Sequence, residues 1–158
     1  MASAITKSTL ISNIWKNFYD RIKDQVTSVT LSISPGTSTI QKYVASYSDI
    51  ELDSKSNYPV IIINSPQIPQ NQFTFGKTKV NGSIELEVYT TSSQSSDKFL
   101  DAINQAVETY KGTLAGVGIR MLDIDNTSND FIERGNIKIH IRSVTWKFIY
   151  YFDRTGAF

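Results

Sequence analysis

Apolar residues recur at spacings of three and four near the start of the chain: Leu10, Ile11, Ile14, Trp15, Phe18 and Ile22. Such a stripe predicts a helix over about residues 8–25, with Ser8 able to cap it. Lys16, Asp20, Lys23 and Asp24 fall off the stripe. The apolar side must be covered, by the chain's own sheet or by a neighbouring subunit. Thr27 to Ile33 then alternates, with Val29, Leu31 and Ile33 on one face, and Ser34-Pro35-Gly36 reads as a turn. Thr39 to Tyr47 is a weaker strand candidate anchored by Ile40 and Tyr43, and Asp49 to Asn57 is a polar loop. Tyr58 to Ile63 is apolar at consecutive positions. That pattern suits a central strand covered on both faces.

Ser65 to Gln72 carries two prolines and predicts an extended loop, with Phe73 and Phe75 just beyond it. The loop is either a contact arm or a cover for the chain's own core. Next comes an alternating strand. Val80, Gly82, Ile84, Leu86 and Val88 share one face; Asn81, Ser83, Glu85, Glu87 and Tyr89 share the other. Thr90 to Ser96 reads as a flexible loop. A helix over Ser96–Lys111 follows, capped by Ser95 or Ser96, with Phe99, Ile103, Val107 and Tyr110 as its stripe. Gly112 is expected to end it. Leu114 to Gly118 is a connection, Ile119 to Ile124 a strand, and Asp125 to Gly135 a polar loop. Residues 136–152 form one long strand or two joined strands.

In that last segment Ile137, Ile139 and Ile141 face one way and Lys138, His140 and Arg142 the other. If it pairs antiparallel with the 80–89 strand, Glu85 and Glu87 can lie opposite Lys138, His140 and Arg142. Cross-strand ion pairs there would contribute about 0.2–1 kcal/mol each and help fix the register. Aromatic residues crowd its end (Trp146, Phe148, Tyr150, Tyr151, Phe152), so both faces should be covered, by the chain itself or by another subunit. These elements define an α+β fold: a curved, mostly antiparallel sheet packed by an N-terminal helix and one crossing helix. At 158 residues a single domain over residues 1–158 is expected.

Composition narrows the function more than it names one. The chain has no cysteine, which excludes disulfides, thiolate metal sites and a cysteine nucleophile. Net charge is +1, with 16 basic and 15 acidic residues, so nothing drives binding along a duplex. Residues 1–79 carry a net +3 and the remainder −2, a small asymmetry that bears on head-to-tail stacking. No apolar run approaches the ~20 residues of a membrane span. The first residues lack the apolar centre of a signal peptide, and a cytoplasmic product with no membrane role is expected.

Searching for reaction chemistry returns little. His140 is the only histidine and stands between Lys138 and Arg142 on a strand, where a solvated or ion-paired residue is expected. Asp123 to Asp130 superficially follows a calcium loop, but departs at the third ligand, the required glycine and the closing Glu. Glu85 and Glu87 share a face, as a glycosidase pair would, yet basic neighbours would lower their pKa values. Gly112, Gly116 and Gly118 follow a helix rather than a strand, so they make no nucleotide fingerprint. Lys77 and Lys79 are too few for a nucleic-acid patch. An enzyme is not expected, nor is a cofactor.

The order of elements nonetheless has a counterpart. An N-terminal amphipathic helix is followed by Tyr58-Pro59 entering a central strand. Then come the strand Gly82-Ser83-Ile84-Glu85-Leu86-Glu87-Val88-Tyr89, a Ser/Asp-capped helix with Phe99, Leu100 and Ile103, and a closing strand with Arg142 and a Tyr/Phe cluster. Over roughly residues 8–152 this succession resembles the tail terminator (tail completion) proteins of long-tailed bacteriophages and related minor tail or neck proteins. The resemblance implies a homohexameric ring at the head-proximal end of the tail tube. That ring would end tube polymerisation, meet the tail tube protein and the head-completion or connector protein, and let double-stranded DNA pass unread. Localisation would be the virion, after synthesis in the host cytoplasm. Ring contacts would draw on Trp15, Phe18, Ile68, Phe73, Phe75, Trp146 and Tyr150. A different connector or a tail tube component is the nearest alternative, with the 65–79 loop as an arm. A carbohydrate or ligand-binding module, with Trp146 and Tyr150 as an exposed stacking platform, is the alternative of another class.

Overall fold

The computed structural model describes residues 9–26, 31–33, 36–38, 42–44, 58–72 and 77–153. Helix α1 spans Leu10–Val26 and buries Leu10, Ile14, Phe18 and Ile22 of the expected stripe, while Trp15 is half-buried and Ile11 is exposed. Strands β1 (Leu31–Ile33) and β2 (Gly36–Ser38) form a small antiparallel pair of their own. The main sheet contains β3 (Lys42–Val44), β4 (Val60–Ile63), β5 (Gln70–Gln72), β6 (Lys77–Thr90), β7 (Arg120–Arg134) and β8 (Ile137–Asp153). Its order is β3-β4-β6-β8-β7, with β5 paired to one end of β6. Among the described strands only β3 and β4 run parallel; the other pairs are antiparallel. With α1 and a second helix, α2 (Ser93–Gly116), the fold is α+β.

Side-chain phase decides which face each residue serves. Val80, Ile84, Leu86 and Val88 are buried on the face that carries both helices. Opposite them on β8 stand Tyr150, Trp146, Val144 and Arg142. On the far face a second cluster joins Tyr58, Val60, Ile62, Tyr89 and Ile139, with Ile132, Ile137 and Ile141 partly buried against it. β4 feeds both clusters, Ile61 and Ile63 on one side, Val60 and Ile62 on the other. All four residues are fully buried, as the unbroken apolar run requires. β8 changes its apolar phase in mid-strand. Ile137, Ile139 and Ile141 face away from the helices; Val144, Trp146, Phe148 and Tyr150 face them.

Three expectations need correction. The helix expected over Ser96–Lys111 begins at Ser93 and runs through Gly112 to Gly116. Gly112 does not end it, because Leu114, two residues further on, is buried and holds the last turn to the core. The stop is at Gly118, with φ +101°: its N–H bonds the Ala115 carbonyl at 3.0 Å, and the Ile119 N–H bonds the Leu114 carbonyl at 3.0 Å. That is a Schellman closure, and buried Ile119 and Leu114 supply its usual apolar contact. Secondly, the expected 65–72 loop is not wholly irregular. Gln67 bridges to Ser83 by two backbone hydrogen bonds, and Gln70–Gln72 pair with β6. Thirdly, the polar segment 125–135 is no loop. It is most of β7, paired residue by residue with β8. The expected strand ends at 27–30, 39–41 and 45–47, and the loop 49–57, lie outside the described residues.

Candidate functional site

Most of the aromatic residues proposed for subunit contacts are occupied within the chain. Phe18, Trp146 and Tyr150 are buried on the helix face. The Phe18 ring lies 6.4 Å from Trp146 and 6.3 Å from Phe148, centroid to centroid. Trp15 is half-buried, stacks on Tyr19 at 4.8 Å, and donates its indole N–H to the Ile63 carbonyl at 2.8 Å. The apolar surplus that suggested an interface is the demand of a sheet covered by two helices. Ile68 is half-buried against the same core. Phe73 and Phe75 lie outside the described residues.

The expected ion pairs of Glu85 and Glu87 with Lys138, His140 and Arg142 do not form. Glu85 stands opposite Thr145 and Glu87 opposite Ser143, while Arg142 faces Val88 and His140 faces Thr90. Burial of Ile84, Leu86 and Val88 beside Trp146 and Val144 sets that register, and it sends the carboxylates and the basic trio to opposite faces. Arg142 instead reaches helix α2, donating from Nε to Asp97 Oδ1 at 2.7 Å. Arg142 is largely buried and Asp97 largely exposed, so the two partners are unequal. Asp97→Ala should cost about 1 kcal/mol by removing the guanidinium's charged partner; urea melts of the variant check this. Lys138 lies 4.3 Å from the centre of the Phe131 ring. Burial, then the charges of Lys138 and Arg142, hold His140 below the ordinary imidazole range.

On the far face Asn64 donates to Glu85 at 3.3 Å, and the Tyr89 hydroxyl donates to Glu87 at 2.9 Å. Burial raises Glu87 above the usual carboxylate range, and neighbouring Glu85 adds to the rise. A carboxyl raised in the folded state binds its proton more tightly folded than unfolded. Its ionisation therefore lowers stability as pH rises from the ordinary carboxylate range toward neutral. Glu87→Gln should remove that slope and melt above the parent at neutral pH but not in acid. Thermal melts across the acid-to-neutral range test this.

Among the described residues, exposure is concentrated on β7. Every residue from Asp123 to Phe131 is exposed. The large apolar side chains exposed among the described residues are Ile11, Met121, Ile124 and Phe131, and three of them sit on this strand. The strand expected over Ile119–Ile124 forms the start of β7, and its continuation to Arg134 is hidden in the sequence because Asp, Asn, Thr and Ser favour turns and show no alternation. The available signal was Gly135-Asn136, a two-residue hairpin loop between Arg134 and Ile137, which pair directly. Two clefts flank the strand. One, of about 500 Å³ between α2 and β7, is lined by Asp97, Leu100, Thr127, Ser128, Asn129 and Arg142. It offers hydroxyl and amide groups, with Arg142 committed to Asp97. The other, of about 420 Å³, lies among Gln67, Pro69, Asn81, Met121, Lys147 and Ile149 and is mostly apolar.

Among the described residues no three His, Asp or Glu side chains converge as metal ligands, and no helix is long and apolar enough to cross a membrane. The geometry thus defines an α+β protein whose most exposed element is a sheet edge. Neither a family model nor any curated protein matches the chain.

Proposed function

We propose that this chain is a structural virion protein, forming a ring that caps the head-proximal end of a long-tailed bacteriophage's tail tube. The ring ends tube polymerisation and offers the surface on which the head connector joins. The observation that carries the reading is the succession of elements. An amphipathic α1, β4 entered through Tyr58-Pro59, a long β6, the crossing α2 and the β7–β8 hairpin follow the order that resembles tail terminator proteins. Near-neutral charge supports passage of DNA through the lumen without retention, since a strongly basic channel would hold it. Ring closure requires different patches of adjacent subunits to meet. Trp146 and Tyr150 are withdrawn as a ring contact and as a sugar-stacking platform alike, because the core already covers them.

The test is addition of the purified protein to isolated tail tubes in the presence of tube subunits. Electron microscopy should find a ring on one end of each tube and no further growth there. Tubes that lengthen at the same rate with and without the protein would overturn the proposal.

A further inference from the structure

Among the described residues, β7 leaves the sheet with an open edge. Such an edge accepts another strand unless charges, bulges or prolines blunt it. β7 is blunted at its start, where its register on β8 shifts between Arg120 and Asp123 and again between Ile124 and Asn126. From Asn126 to Arg134 the ladder runs without a shift. Ile124 and Phe131 both stand on the helix face, since their β8 partners are Trp146 and His140.

We propose that β7 pairs antiparallel with β7 of a second copy, about a two-fold axis through Ser128, joining the two sheets edge to edge. Complementarity singles out the register. A two-fold perpendicular to the sheet keeps each face with its own kind, so the axis must pass through a residue and its own copy. With the axis at Ser128, and Asp125 as the extra residue of the bulge, Ile124 meets Phe131 of the second copy on the helix face. Symmetry repeats that contact. On the far face Asn126 meets Asp130. An axis at Asp130 would oppose two identical carboxylates, and one at Thr127 would set Asp130 against Asp123. An axis at Asn129 would set Ile124 against Glu133. Of these four registers, Ser128 alone joins apolar to apolar with no acid facing an acid. The two-fold pairing joins like patches, so it is not the contact that closes a ring, and it is tested apart from the ring reading.

The chain has no cysteine, so Ser128→Cys introduces a single thiol. Directly opposite residues of an antiparallel pair have Cα atoms about 4.5–5.5 Å apart, within disulfide reach. Mild oxidation of Ser128→Cys should give a covalent dimer, while Gln105→Cys, exposed on α2, should not. In sedimentation the parent should run at twice the 17.8 kDa of one chain. Ile124→Lys and Phe131→Asp should run at one chain's mass with unchanged circular dichroism and melting. A parent of one-chain mass, or equal cross-linking at Gln105→Cys, overturns the pairing. A closed ring without the Ser128→Cys cross-link overturns the pairing and leaves the ring reading standing. A cross-linked pair that never caps tubes does the reverse.

Discussion

Trp146→Ala should lower the stability of the isolated chain by about 3–5 kcal/mol, the range for truncating a large buried aromatic. For a chain of this size each kcal/mol shifts Tm by roughly 2–4 °C, so the melt should fall by about 6–20 °C. The cause is local. Trp146 faces Ile84 across the ladder and packs beside Phe18 of α1, so its loss opens a void where strand and helix meet. The alternative, in which Trp146 serves a subunit contact, makes the opposite forecast: assembly lost with the melt of a single chain unchanged. Thermal denaturation at low protein concentration separates the two.

Gly82→Ala should be the costliest single-methyl addition in β6. A Cβ at that position would overlap the ring of Phe148, which stands directly opposite and is buried. The ring cannot swing aside, because Phe18 packs against it. Overpacking of this kind costs about 1–3 kcal/mol, and a rigid aromatic in a closed core points to the upper end. The paired variant Gly82→Ala/Phe148→Leu should recover part of the loss by giving the methyl room. If Gly82→Ala alone melts with the parent, the close approach of Phe148 to the β6 backbone is wrong. The sequence placed Gly82 on the apolar face of a strand, where a glycine marks either a bulge or a close approach; the ladder runs through it without a shift.

Legibility followed burial. Stripes that are covered, on α1, β4, β6 and the apolar positions of α2, were readable because the core imposes their period. The helix end was misplaced because Gly112 is a poor helix former that tertiary contact at Leu114 overrides. The start of β7 was legible through buried Leu122, but the strand from Asp125 to Phe131 was hidden because its residues are exposed and no core imposes a period on them. It is a strand by virtue of β8 alongside, and its composition reads as a loop. The ion pairs failed for a related reason. Alternation gives two faces per strand, and which face of one meets which face of the other is set by the apolar residues, through Ile84 against Trp146. Phe18, Trp146 and Tyr150 turned out to be core rather than contact because the sequence shows how much apolar surface exists without showing what it packs on. On a helix-covered sheet most of it packs inward.

The mid-strand phase change in β8 bears on how the protein comes apart. One continuous strand supplies Ile139 to the cluster on one side and Val144, Trp146 and Phe148 to the cluster on the other. β8 cannot leave the sheet without opening both clusters. Hydrogen exchange should therefore find the central β8 amides protected to the full global free energy.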